Sequence, residues 1–149
     1  MPRKRILPPV FFLVYLIAAF LLNRLLPIAA MVPLAWRPVG WVICGLGAAL
    51  NVWGSSLFRR RGTAIKPFEP STALVCDGPF RLSRNPMYVG GVAMLLGVAT
   101  VLGSLTAFLV PLAMFLTLQL WFIPHEERML EETFGSAYRD YRRRVRRWL

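Results

Sequence analysis

Polar and apolar positions fall in long blocks along this chain. Four blocks are apolar throughout: about Leu7 to Leu26, about Val39 to Phe58, about Met87 to Leu102, and Leu105 to Ile123. A bilayer core of about 30 Å needs roughly 20 helical residues, within a range of about 17–25. The first, second and fourth blocks fit that length. The third is short, which predicts a tilt or an extension into Arg84–Pro86. A signal peptide is the rival reading of the first block, with Arg3, Lys4 and Arg5 before it. Its apolar run is too long for that, and no small-residue cleavage site leads into a soluble domain. A retained helix is the expectation. After Ile123 the pattern changes period. Leu130, Phe134, Tyr138 and Tyr141 follow i, i+4, i+8, i+11, opposite a basic face. This predicts an amphipathic helix, bent near Gly135, that lies on the membrane or folds back over the preceding loop.

The connections carry their own signals. Pro27 and Pro33 punctuate the first, with Trp36 and Trp41 as interface anchors. The second, Gly62 to Pro86, holds Pro67, Pro70, Gly78 and Pro79, too many breakers for one helix. Only Gly103–Ser104 joins the third and fourth blocks, so these should form a tight antiparallel hairpin. Gly90, Ala93 and Gly97 share one face of the third block. Small residues there let a neighbouring backbone approach closely, and a ligand could lie against the same face. Asn51, inside the second block, is expected to make an interhelical hydrogen bond.

Composition supports lipid contact. The chain is 56% apolar, above the roughly 45–50% of soluble domains. Its net charge of +11 would suit nucleic acid on a soluble fold, but here the charges cluster between and after apolar blocks. Anionic lipid head groups account for them better. All Lys and Arg except Arg24 and Arg37 precede the first block, lie in the Arg59–Arg84 connection, or follow the fourth block. The positive-inside rule then puts both termini in the cytoplasm. All acidic residues share that side. Cys44 and Cys76 form no CxxC or zinc spacing, so neither a metal site nor a disulfide is expected. The expected fold is all-α: a polytopic integral membrane protein of about four transmembrane helices plus a C-terminal amphipathic helix. It forms a single membrane domain, residues 1–149. Residues 1–58 supply two helices, and 59–149 carry the loop, hairpin and C-terminal helix that build the site. The cytoplasmic, inner membrane is the expected location.

Two polar clusters occupy the cytoplasmic feet of the hairpin. One is Arg81-Leu82-Ser83-Arg84-Asn85-Pro86-Met87-Tyr88; the other is His125-Glu126-Glu127-Arg128. An antiparallel hairpin with arms of similar length must bring them together. Adjacent carboxylates beside a membrane helix are costly unless paired or solvated. A plain surface network with Arg81, Arg84 and Arg128 is one reading. A site for a zwitterionic ligand is the other, with carboxylates accepting from an ammonium and arginine forking a carboxylate. Pro86, Tyr88, Gly90 and Gly91 would then admit and cover a flat ring. His125, the only histidine, is expected to be a simple interfacial residue.

These residues also carry a resemblance. Leu74-Val75-Cys76-Asp77-Gly78-Pro79-Phe80-Arg81, followed by Arg84-Asn85-Pro86-Met87-Tyr88, resembles the G-P-[YF]-R-x-x-R-[HN]-P-x-Y signature of the isoprenylcysteine carboxyl methyltransferase and phospholipid methyltransferase superfamily. Glu126-Glu127-x-x-Leu130 resembles its E-E-x-x-L motif, and Phe134-Gly135-x-x-Tyr138-x-x-Tyr141 with Val145-x-Arg147-Trp148 resembles its tail. Asn85 stands where many members have His. The resemblance covers about Pro70 to Leu149 and implies a non-Rossmann methyltransferase that uses S-adenosylmethionine. It implies Arg84, Asn85, Pro86, Tyr88, Gly90, Gly91, Glu126 and Glu127 as cofactor-binding residues, with Glu127 and Arg84 catalytic. The implied acceptor is lipophilic or embedded in the membrane, most like the carboxylate of a prenylated cysteine. Phosphatidylethanolamine and a small thiol remain alternatives. A carboxylate is already a nucleophile, whereas an amine must first lose a proton. A structural membrane subunit without catalysis is the non-enzyme alternative. Such a subunit has no need of paired Arg and Glu-Glu clusters at the feet of one hairpin.

Overall fold

The computed structural model describes residues 8–62 and 73–149, without the side chains of Pro8 and Pro9. The expected Arg3–Arg5 flank and most of the Pro-rich connection lie outside those residues. Every regular element among the described residues is helical. The exception to helical pairing is an isolated bridge between Ala30 and Ser104. In order, α1 spans Pro8–Leu25, α2 Arg37–Arg60, α3 Pro86–Leu102, α4 Leu105–Thr117, α5 Ile123–Phe134 and α6 Ser136–Arg144. The helix containing α2 and the one running from Leu105 to Phe134 are long and apolar enough to cross a membrane; the helical parts Val10–Leu25 and Pro86–Leu102 are shorter and apolar. The large exposed side chains are mostly apolar, among them Leu13, Ile17, Trp41, Leu46, Val52 and Leu120. An exposed apolar surface of this extent marks contact with a membrane or a partner.

Sequence sets the helix ends. Pro38 and Pro86 fall in the first turns of α2 and α3, where the missing N–H costs nothing. Gly103 closes α3 in the left-handed conformation, at φ +78, and Ser104 caps α4 by accepting from the Ala107 amide. The hairpin is therefore a two-residue reversal built from local chemistry. The chain between α1 and α2 crosses this turn, and the Met31 amide donates to the Gly103 carbonyl at 2.7 Å.

α2 and α3 run antiparallel in backbone contact. A Cβ on Gly47 would stand 2.6 Å from the Gly90 carbonyl, and one on Gly40 would stand 2.4 Å from that of Gly97. No side chain fits at these crossings, and the gain is dispersion between closely apposed backbones. Asn51 differs from expectation. Its amide donates back to Gly47 in its own helix at 3.0 Å, with Gly90 of α3 packed directly against it. α1 packs antiparallel to α4, with Tyr15 hydrogen-bonded to Thr117 at 2.6 Å and Phe11 edge-on to Phe122. The buried core joins Ala19, Leu95, Val110, Met114, Leu118, Phe122 and Ile123.

One expected boundary is wrong. The apolar helix does not stop at Ile123: α4 passes through a π turn, Leu118–Phe122, straight into α5. Pro124 would clash with the carbonyl four residues before it, and the wider turn absorbs the misfit without ending the helix. The bend at Gly135 is as expected, at φ +52 between α5 and α6.

Candidate active site at the feet of the hairpin

The site lies where α3 begins and α5 begins, and the last residues of the chain complete it. Asp77 starts a 3-10 turn, Gly78–Arg81, that buries Pro79 and Phe80. Phe80 packs edge-on against Phe58 of α2, and its carbonyl accepts from the Tyr141 hydroxyl at 2.7 Å. Asp77 also pairs with Arg61 at the end of α2. These contacts fix the approach to α3. Arg84 and Asn85 then sit on the last turn of chain before Pro86.

Arg84 reaches across the hairpin to Glu127: Nη1 lies 2.8 Å from Oε1, and the side chains are 9% and 11% exposed. Glu127 also receives Arg147, whose Nε and Nη2 donate at 3.1 and 2.6 Å. One buried carboxylate thus lies between two guanidinium groups, one of them in a fork. Arg84 donates further to the Tyr138 hydroxyl at 3.1 Å. Burial pushes the Tyr138 phenol up, and the Glu127 charge adds to this, so Tyr138 stays protonated. The Arg84 Nε is buried and has no hydrogen-bond partner among the described residues. An orphaned charged donor is costly inside a protein.

Glu126 takes a different partner. The Tyr88 hydroxyl donates to its Oε1 at 2.6 Å. Burial raises the Glu126 carboxyl to about 7; the Tyr88 hydrogen bond opposes the rise and the Glu127 charge adds to it. The two adjacent glutamates therefore stand in contrasting states, one locked between cations and one poised near neutrality.

Extended backbone at Val145 leads into a terminal strap. The Arg146 carbonyl accepts from the Arg84 amide at 2.9 Å. The Arg147 carbonyl accepts from Ser83 Oγ and Asn85 Nδ2 at 3.2 and 2.9 Å. Asn85 is thereby fixed as a structural donor to the strap. The structure brings Arg84, Asn85, Pro86, Tyr88, Glu126 and Glu127 into one cluster, as the antiparallel hairpin requires. Gly91 lies nearby, against Met114 and Phe12, whereas Gly90 faces Gly47 and Asn51 of α2. The face of α3 that carries Gly90 and Gly97 is filled by a helix, which leaves no space for a ligand at Gly90. Sequence reasoning did not place Arg147 or Tyr138 in the site. The signal for Arg147 was its position beside Trp148 in the tail motif, far from the glutamates in sequence. Among the described residues no group of His, Cys, Asp and Glu could hold a metal ion.

Comparison with known proteins follows the same outline. Residues 36–137 match the sequence profile of the phospholipid methyltransferase family. An uncharacterised protein of Haemophilus influenzae is 38% identical over 63 residues, which cover 42% of this chain and all of that protein. The fold is similar to that of a eukaryotic intramembrane Ras methyltransferase, isoprenylcysteine carboxyl methyltransferase, with a TM-score of 0.71 over 95% of this chain and 22% identity. This chain spans about half that enzyme, covering 52% of its length. With a family match that spans residues 36–137, most of the chain, the chain belongs to the phospholipid methyltransferase family.

Proposed function

We propose that this chain is an S-adenosylmethionine-dependent methyltransferase whose acceptor is lipophilic or embedded in the membrane, with its site at the cytoplasmic surface of the inner membrane. The observation that carries the proposal is the buried Arg84 donor without a partner among the described residues, beside a partly buried Glu126. The pair offers one cation for a carboxylate and one carboxylate for an ammonium, which fits the zwitterionic end of the cofactor. Pro86 and Tyr88 form the adjoining wall, and Glu127 and Arg147 hold the Arg84 guanidinium in place. Bound there, S-adenosylmethionine supplies an electrophilic methyl group. The residues of this chain bind and orient, and they exclude water from a displacement that consumes positive charge. Glu127 has both oxygens occupied by arginine, so its role is to set Arg84 rather than to take a proton.

A carboxylate acceptor, as in isoprenylcysteine carboxyl methyltransferases, needs no base. A lipid amine is the second reading, and Glu126 favours it: a carboxyl raised to about 7 is suited to accept an ammonium proton at neutral pH. Calorimetry with S-adenosylhomocysteine on the purified protein tests the cofactor. Binding by the wild type, and its loss in Arg84→Ala, is expected; an absence of wild-type binding sinks the assignment. Membranes incubated with methyl-labelled cofactor then show whether label enters lipid, protein or a small product.

A further inference from the structure

Gln119 is a polar side chain in an otherwise apolar stretch, Leu105 to Ile123, and it falls in the π turn that displaces the helix register. Its Oε1 accepts from the Trp148 indole N–H at 2.7 Å. The Trp148 ring lies 4.7 Å from that of Phe115, one turn before Gln119 on the same helix, and packs against the buried core. Gln119 is eight residues before Glu127, roughly 12 Å along the helix. The strap therefore grips the helix at two depths. At one, Arg147 forks Glu127. At the other, Trp148 is held by Gln119 and Phe115. Arg147 and Trp148 are adjacent in the chain, so fixing Trp148 restricts where the Arg147 side chain can lie.

We infer that Gln119 and Trp148 are positioning residues for the active site: their hydrogen bond, made within the membrane-spanning stretch, holds Arg147 in its fork on Glu127 and so sets Arg84. The inference rests on the proposed cofactor site. An isolated hydrogen bond in lipid would be served by any polar pair. What singles this one out is that the strap it anchors also receives Ser83, Arg84 and Asn85 through its carbonyls. Apart from the Trp148 anchor, these strap contacts end on Ser83, Arg84, Asn85 and Glu127, within the two motifs that build the proposed site. A π turn at Gln119 rather than a regular turn also has a reason here, since such turns re-aim side chains where function needs it.

The test is S-adenosylhomocysteine affinity of the full chain in detergent, for Gln119→Leu in the wild-type and the Arg147→Lys backgrounds, with Trp148→Phe and Trp148→His alongside. Arg147→Lys keeps the charge but cannot fork, which protects the fold. Gln119→Leu and Trp148→Phe should each weaken binding by about fivefold, the scale of one hydrogen bond. Trp148→His, which keeps a ring N–H donor, should recover part of the loss. Gln119→Leu should add nothing in the Arg147→Lys background, the non-additivity expected of residues acting through one another. Equal weakening in both backgrounds, or no weakening in either, would overturn the inference while leaving the cofactor assignment intact. If the wild type does not bind S-adenosylhomocysteine, the cofactor assignment and this inference fall together.

Discussion

The α3–α4 hairpin has two ends solved by opposite means. At the turn, Gly103 and Ser104 satisfy the helix ends from within two residues, aided by the crossing chain at Met31 and Ala30. No acidic residue lies there. At the feet, Arg84 and Glu127 are buried together, and their remaining partners come from Tyr138 and Arg147, far along the chain. The turn is local, although the Arg37 guanidinium packed against Gly103 also has a buried Nε without a hydrogen-bond partner among the described residues. The feet hold three charges that an apolar pack would replace at no loss of stability. On the proposed function, these charges are kept for binding rather than for stability. On that reading, the difference separates the end that shapes the protein from the end that holds the cofactor.

The strongest way to break this contrast is Glu127→Ala. It strands Arg84 and Arg147 without their shared carboxylate, one of them buried. Removing one member of a buried pair costs about 3–5 kcal/mol, so thermal unfolding in detergent should show a large drop in Tm, and S-adenosylhomocysteine binding should vanish. The sharper variant is Arg84→Met with Glu127→Leu. Apolar packing should restore much of the stability but none of the binding. If binding returned with stability, the charges would be structural and the contrast would fail.

At the other end, Gly103→Val puts a β-branched residue at φ +78, with its Cβ built 2.9 Å from the Arg37 Nε. A strained left-handed residue costs about 1–3 kcal/mol. The expected result is a lower Tm with unchanged S-adenosylhomocysteine affinity in the protein that remains folded. A parallel loss of affinity would mean that the two ends are coupled through the hairpin.

The turn end was legible in the sequence because its causes are local. Gly103–Ser104 between two apolar runs allows little but a reversal, and Pro86 marks the start of α3. The pairing of the two feet also followed, since antiparallel arms of similar length leave no other arrangement. Three features were not legible. Ile123 looked like a helix boundary because the apolar pattern ends there; the π turn carries the helix on into α5. Asn51 looked like an interhelical donor, whereas its amide donates within its own helix with Gly90 packed against it. Arg147 was hidden because its contact with Glu127 depends on how the strap returns from α6, which no periodicity encodes. Local signals set elements, and long-range returns set the site.

A smaller effect distinguishes the two glutamates. Burial raises Glu126 to about 7 from an ordinary 4.5. The folded chain holds this proton where the unfolded chain has lost it, so the stability contributed by Glu126 is full below about pH 4.5 and is lost as pH rises through about 7. A ligand ammonium requires the carboxylate, so binding moves the other way. S-adenosylhomocysteine affinity should rise by about tenfold between roughly pH 6 and pH 8. Glu126→Gln should flatten the profile. A flat wild-type profile would remove Glu126 from the ammonium site.

The smallest expected effect is also the cleanest control. Ser104 caps α4 through its side chain, accepting from the Ala107 amide at 3.4 Å and sharing a hydrogen bond with Thr106 at 3.1 Å. Ser104→Ala removes that cap at the turn and nothing at the feet. The loss should be about 1 kcal/mol of stability, read as a modest fall in Tm, with S-adenosylhomocysteine affinity and its pH profile both unchanged. Because α4 runs unbroken into α5, a loosened cap could reach Glu127 only by shifting the whole helix along its axis. The packing of Val110, Met114 and Leu118 in the core resists such a shift. An altered pH profile in Ser104→Ala would show that it does not, and that the helix transmits movement from one end of the hairpin to the other.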